Sequence, residues 1–223
     1  MTGRTTDPSA TAARVVVLGS SGHAREVLAI AASCAGVAVV GCVGPANDAD
    51  AARLPVPWLG EDGWLETAPA DLDYVIGIGH GPTRARLDRL TGRRAARLVD
   101  PHATVGPRVV IGPGTVLWPG SVLTADITAG RHVHIGTNVS VGHDTRLDDC
   151  ATLLPGCTVA GSCRIGRAAT ICAGATVIDG VSVGAGAVLG AGAVAIRDVP
   201  AGAVAVGVPA RPLAATGGGS CHE

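Results

Sequence analysis

From Val105 to Pro200 the chain repeats every six residues, a period that few folds can accommodate. Every sixth position is aliphatic: Val105, Ile111, Leu117, Leu123, Ala129, Ile135, Val141, Leu147, Leu153, Val159, Ile165, Ile171, Val177, Val183, Leu189 and Ala195. Four residues after these stand small or β-branched side chains, as at Thr115, Ser121, Val133, Val139, Ala151, Cys157, Cys163, Ala175 and Ala187. A helix needs a period near 3.6 and a simple strand a period of 2, so neither accounts for six. One large and one small apolar residue per six-residue unit is the pattern of a parallel β-helix. Three short faces then close a triangular coil of about eighteen residues, and each aliphatic side chain stacks on its equivalent one coil away. The unit runs without insertion, which predicts one continuous solenoid.

Composition supports this. There is no Phe, only one Tyr and three Trp, and charged residues make up 16% of 223. Stacked Val, Ile, Leu and Ala leave little room for rings. Every basic residue is Arg, the net charge is −1, and no basic block occurs, so neither nucleic acid nor an anionic membrane is indicated as a partner. The seven Cys are odd in number and lack CxxC spacing, which predicts free thiols in a reducing compartment, the cytoplasm. Cys157 and Cys163 fall on inward small positions and are expected to pack. No apolar run reaches the ~18 residues of a membrane span, and no signal peptide opens the chain.

Ahead of the solenoid the pattern changes. Residues 1–13 are polar and aperiodic, and 214–223 are Gly-rich; both are expected to be flexible tails. Between them, 14–99 reads as a small Rossmann-like α/β domain and 100–213 as the β-helix. Arg14–Leu18 and Val37–Val43 are expected strands around a Gly19–Gly22 turn and a helix from His23. Asp73–Ile78 is a further strand, Pro82–Thr91 a helix, and Arg97–Val99 a last strand. A strand, glycine turn and helix can cradle phosphate on backbone N–H groups. The dinucleotide fingerprint is absent, because Ser21 stands where its second Gly belongs and no acid follows Val43. Ligands of such a sheet bind beyond the carboxyl ends of its strands. Ser20–His23 and Gly79–His80 therefore share one rim.

The solenoid concentrates its polar residues in one region: His132, His134, Asn138, His143, Asp144, Arg146, Asp148 and Asp149. His143 with Asp144 suits a general base with a carboxylate that fixes its tautomer and favours its charged form. One coil further is Gly161, whose bare backbone N–H could approach a ligand carbonyl and stabilise an oxyanion. Base and oxyanion donor one coil apart are what acyl transfer from a thioester requires. His132 and His134 are expected on solvated positions. A zinc site drawing on His132, His134 and His143 is the weaker reading, since no two of them lie a coil apart.

Several motifs together carry a resemblance. Gly-Ser-Ser-Gly-His-Ala at 19–24, Ile-Gly-Ile-Gly at 76–79 with Arg84, Asp-Pro-His-Ala at 100–103, His143-Asp144, Pro155-Gly156 and Gly207-Val-Pro-Ala-Arg211 stand in this order. The chain thus resembles the sialic acid O-acetyltransferase and bacillosamine-pathway sugar N-acetyltransferase family over residues 14–213. The resemblance implies a left-handed β-helix, a homotrimer, acetyl-CoA as co-substrate with no metal, and a sugar or nucleotide-sugar acceptor. It implies His143 as base, Asp144 as its partner and Gly161 as the amide near the acetyl carbonyl. Ser21, Gly22 and His23 would touch the acceptor, with Gly60 nearby, and Ala173 and Ala191 would line the CoA arm. Three positions depart from the family. Thr152 stands where the family has a cofactor-contacting His, and its shorter hydroxyl is expected to meet the CoA. Gly44-Pro45 replaces an acidic pair that grips a nucleotide base, and Gly136 replaces an Asn, with Asn138 shifted along. Two other readings compete: a non-catalytic trimeric scaffold that binds sugar phosphates, and a zinc β-helix carbonic anhydrase.

Overall fold

A computed structural model describes residues 12–213. The expected tails thus lie outside the described residues, apart from Ala12 and Ala13, and Ala13 already belongs to the first strand. Four parallel strands form the small domain: β1 (Ala13–Leu18), β2 (Val37–Val43), β3 (Trp58–Gly60) and β4 (Asp73–Ile76), in the order β3-β2-β1-β4. Helix α1 (Gly22–Ser33) covers one face, burying Ala24, Val27, Leu28 and Ile30 against Val15 and Val17. The short helix α2 (Asp48–Ala51) lies between β2 and β3, and on the other face the short α3 (Trp64–Thr67) precedes the longer α4 (Gly81–Thr91). There Leu87 packs with Val16, Leu18, Tyr74 and Ile76. The alternation of buried Val15 and Val17 with Val16 and Leu18 is the two-residue period of a sheet covered on both sides. Strand β3 and α2 fall in stretches without clear periodicity.

The strand expected to close this sheet, at Arg97–Val99, does not. Leu98 and Val99 pair instead with Val116 and Leu117, as the first rung of the solenoid. Ala95 contributes only a single bridge to Tyr74. The chain leaves one sheet and enters the other within a few residues, which ties the two domains together.

The solenoid has three parallel faces and is a left-handed β-helix. Register advances by eighteen residues per coil: Thr128 pairs with Arg146, Arg146 with Arg164, and Arg164 with Ser182. The docking face runs from Leu98–Val99 through Val116–Leu117, His134–Ile135, Thr152–Leu153 and Thr170–Ile171 to Val188–Leu189. A second face carries Ser140–Val141 and Thr158–Val159, and a third carries Arg146–Leu147 and Arg164–Ile165. The last coil is shorter, because Val188 pairs with Val204 and Val183 bridges Val199. Inside, the aliphatic columns and the small residues, Cys157 and Cys163 included, form one continuous buried core. At the open amino-terminal end Val105 has no coil beneath it and is 40% exposed.

The corners obey the same period. Every sixth residue from Arg108 to Gly192 has a left-handed backbone, whether or not it is glycine. Asp126, His132, Asn138 and Asp144 hold φ between 51 and 56°. Asn, Asp and His tolerate this region better than other side chains do, so the polar corner residues are shaped by the turn before any chemistry is considered.

Candidate active site

His143 and Asp144 form a corner between the second and third faces. The Nδ1–H of His143 donates to Asp144 Oδ2 at 2.8 Å. An ionised carboxylate only accepts, so this bond fixes the tautomer and leaves the Nε2 lone pair open. Both side chains are more than 60% exposed. The hydrogen bond to Asp144, joined by the charges of Asp144, Asp179 and Asp126, outweighs desolvation and raises the His143 pKa above its ordinary value. Asp126 is itself held by a bidentate pair with Arg108, at 2.5 and 2.6 Å.

Gly161 occupies the equivalent corner one coil on, where Ser162 N–H donates to His143 O at 2.7 Å. A Cβ on Gly161 would stand 2.7 Å from both Cε1 and Nε2 of His143. The ring therefore uses the space that glycine leaves free. Among the described residues the Gly161 N–H donates to no backbone carbonyl. His143, Asp144 and the bare backbone of Gly161 thus meet at one corner.

The rim expected to meet an acceptor lies elsewhere. Gly19, at φ 131°, brings its Cα so near β4 that a Cβ would be 2.7 Å from Gly77 O, and this packs the β1–α1 turn against the β4 end. Ser21 is the N-cap of α1, with no side-chain cap bond and no acid in the first turn, so the helix end is open to an anion. Gly79 and His80 lead into α4 beside it, and the His80 ring is paired with Thr83 Oγ1 at 2.8 Å. Gly60 O accepts from Gly44 N–H, which places the end of β3 on the same rim.

His23 behaves differently from its neighbours. Its ring lies beside Gly79, where a Cβ would stand 3.8 Å from Nδ1; it stacks on His134, tilts against Trp118, and shares a 3.0 Å hydrogen bond between Nε2 and His134 Nδ1. Burial, and then the Arg84 charge, lower His23 to about 4. The exposed Glu26 carboxylate, 3.3 Å from Nδ1, is too solvated to offset this. His132 and His134, expected in solvent, are 0% and 2% exposed, because the small domain sits on the docking face. Burial lowers the pKa of both.

Two residues of α4 organise that interface. Arg84, fully buried, donates to the carbonyls of Ile78, Gly79, His132, Cys150 and Ala151 and to Thr152 Oγ1. Burial brings it down only to about 10, so it stays a cation. One turn on, Asp88 receives Tyr74, Arg131 and His132 at 2.5 to 2.9 Å. Burial would raise the Asp88 carboxyl, but these donors hold it well below the usual range.

The remaining expected contacts separate. Thr152 is no surface group here: it is 3% exposed, and its hydroxyl is engaged by Arg84 and Gly79 O, so in this chain it is an interface residue. Ala173 and Ala191 are exposed and stacked, joined by Gly192 N–H to Ala173 O, on the corner between the docking face and the second face. They and Gly161 therefore flank the second face from opposite edges. The histidines of a zinc reading are not brought together, since His132 and His134 face the small domain and His143 the opposite corner. No cluster suited to a metal occurs among the described residues. A cavity of about 410 Å³ lies between α3 and α4, with Leu18, Leu65 and Leu87 in its wall. No helix among the described residues is long and apolar enough to cross a membrane.

A rigid hexapeptide coil with a His–Asp pair over a bare glycine defines the class: a left-handed β-helix acyltransferase. Residues 14–89 match the family model described as the PglD N-terminal domain. PerB from Caulobacter crescentus, solved with CoA and GDP-perosamine, is 35% identical over 90% of this chain and 97% of that one, with a TM-score of 0.82. The acetyltransferase domain of PglB from Neisseria gonorrhoeae, solved with acetyl coenzyme A, is 29% identical over 91% and 100%, with a TM-score of 0.82. WeeI from Acinetobacter baumannii is 26% identical over 89% and 99%, with a TM-score of 0.68. Among curated proteins none matches. The chain belongs to the hexapeptide-repeat nucleotide-sugar N-acetyltransferase family.

Proposed function

We propose that this enzyme moves an acetyl group from acetyl-CoA to the amine of a nucleotide-linked sugar, with His143 as general base. The observation that carries the reading is the open Nε2 of His143 set against the bare backbone of Gly161. The acceptor amine loses a proton to Nε2 and attacks the thioester carbonyl, and the tetrahedral oxyanion rests on the Gly161 N–H. On collapse the C–S bond breaks and the imidazolium returns its proton to the departing thiolate. Asp144 keeps Nδ1 protonated throughout. No covalent enzyme intermediate is required.

Geometry supports a homotrimer as the working unit. The rim at Ser21, Gly22 and Gly79 belongs to a domain seated on the docking face, while His143 stands on the corner opposite that face. An acceptor held by one chain therefore meets the base of a neighbour, and CoA runs between chains, touching Gly161 of one and Ala173 and Ala191 of the other. The open α1 N-terminus is suited to the acceptor's phosphates. The cytoplasm fits both the acetyl-CoA requirement and the free thiols, of which burial raises Cys42 to about 11 and Cys157 to about 12.

The test is release of CoA thiol from acetyl-CoA over a panel of nucleotide-linked amino sugars, beginning with GDP-perosamine. His143→Ala and the rim variant Ser21→Asp should each be inactive. Mixed after dissociation and reassembly, they should recover activity, because some mixed trimers hold one intact site. Absence of recovery would leave base and rim in one chain, and silence of the wild type across the panel would favour a non-catalytic scaffold.

A further inference from the structure

The corner that holds His143 repeats through Gly161 to Asp179, each eighteen residues after the last. A Cβ on Gly161 would stand 2.7 Å from His143 Nε2 and 2.8 Å from Asp179 Oδ1. The ring nitrogen left free by Asp144 and one carboxylate oxygen of Asp179 thus converge on the same bare Cα, close enough for one hydrogen-bonded group to bridge them. Asp179 is exposed, and among the described residues no hydrogen bond or ion pair engages its carboxylate. The other acids at this corner are committed, Asp126 to Arg108 and Asp144 to the far nitrogen of the same ring.

We propose that Asp179 binds the attacking amine, accepting a hydrogen bond from one N–H while His143 Nε2 faces another, with Gly161 as the floor between them. The inference rests on the acetyl-transfer reading given above. An amine reaches the site largely as an ammonium with three N–H groups, and a carboxylate holds it by a charge-assisted bond. One proton leaves to Nε2, and a second is lost to solvent as the amide forms. The third stays as the amide N–H, so the overall reaction yields amide, CoA thiol and one proton. A hydroxyl acceptor has only the proton that His143 must take and nothing left for Asp179. The carboxylate therefore also selects nitrogen over oxygen. Glycine at 161 has two tasks here, presenting its own amide and leaving the gap in which the two side chains meet.

The experiment compares wild type with Asp179→Asn and Asp179→Ala, using acetyl-CoA and whichever amino-sugar nucleotide the wild type acetylates. KM for the amine should rise about tenfold or more, the scale of one lost charge-assisted hydrogen bond, while KM for acetyl-CoA stays within about twofold. Asp179→Glu should recover part of the loss. In parallel, NMR titration of the His143 ring protons without substrates should give a lower midpoint in Asp179→Asn than in wild type. An unchanged amine KM together with an unchanged ring titration would overturn the proposal. A rise confined to the acetyl-CoA KM would overturn it too, by placing Asp179 on the pantetheine arm. The titration needs no turnover, so it judges the Asp179–His143 pairing even if the acetyl-transfer reading falls.

Discussion

His143 Nε2 and the Cα of Gly161 are packed so closely, one coil apart, that a single methyl group cannot come between them. Gly161 has no positive φ, so alanine is compatible with its backbone. Gly161→Ala should therefore fold normally, with a melting temperature within a few degrees of wild type. The methyl must displace the ring by roughly 1 Å, a misplacement that typically costs about 10²-fold in rate. Steady-state kcat beside a thermal melt checks both halves.

Asp144→Asn separates charge from geometry. Asn tolerates the left-handed corner and can still accept from Nδ1–H, so the ring keeps its place. What disappears is the negative charge of Asp144 and the charge assistance it lends to that hydrogen bond, both of which raise the His143 pKa. The base works only when neutral, so activity in the wild type falls as the pH drops through a midpoint above the ordinary 6.5 of an imidazole. In the variant that limb should move to lower pH, with the plateau lowered by no more than about tenfold. A pH profile of kcat/KM reads this directly.

The domain interface predicts a separate sensitivity to acid. His23 is held at about 4 in the folded protein against 6.5 when exposed. The unfolded chain thus takes up the proton first, and the stability is fully present above pH ~6.5 and lost as the pH falls toward 4. His23 alone contributes on the order of 3 kcal/mol across that window, and His134 adds to it. Thermal melts between pH 7 and 4 should show a falling midpoint. In His23→Leu the fall should be shallower.

Arg84→Met should be costly in a different way. It removes the donor to five carbonyls and the Thr152 hydroxyl, all interior to the junction. Leaving buried acceptors unpaired typically costs ~1–3 kcal/mol each where water cannot reach them, so a loss of about 3–5 kcal/mol is expected after relaxation. Denaturant titration should show the small domain unfolding ahead of the solenoid.

Much of this architecture can be read before any coordinates. A six-residue period is incompatible with other regular elements, so the columns from Leu117 to Ala195 and the eighteen-residue step from His143 to Gly161 are readable directly. The docking of the small domain is not. His132 stands at a left-handed corner and His134 at an outward strand position, both of which face water on a bare solenoid; only the domain seated on them buries them. The available signal lay in Val116 and Trp118, apolar residues on the same outward face, and in Arg84 and Asp88, one helical turn apart on α4. The same docking buries Thr152. Leu98–Val99 does carry a mark of its sheet, because Val99 stands six residues before Val105 and continues the aliphatic column. Asp179 is one acid among many at solvated corners until the coil count sets it against Gly161.

The most direct measurement is turnover by His143→Ala in a preparation confirmed by light scattering to keep the wild-type oligomeric state. A general base supplies ~10²–10⁴-fold, so kcat for CoA thiol release should fall by that factor while the melting temperature holds. Turnover equal to wild type would contradict the assignment of His143 as the base.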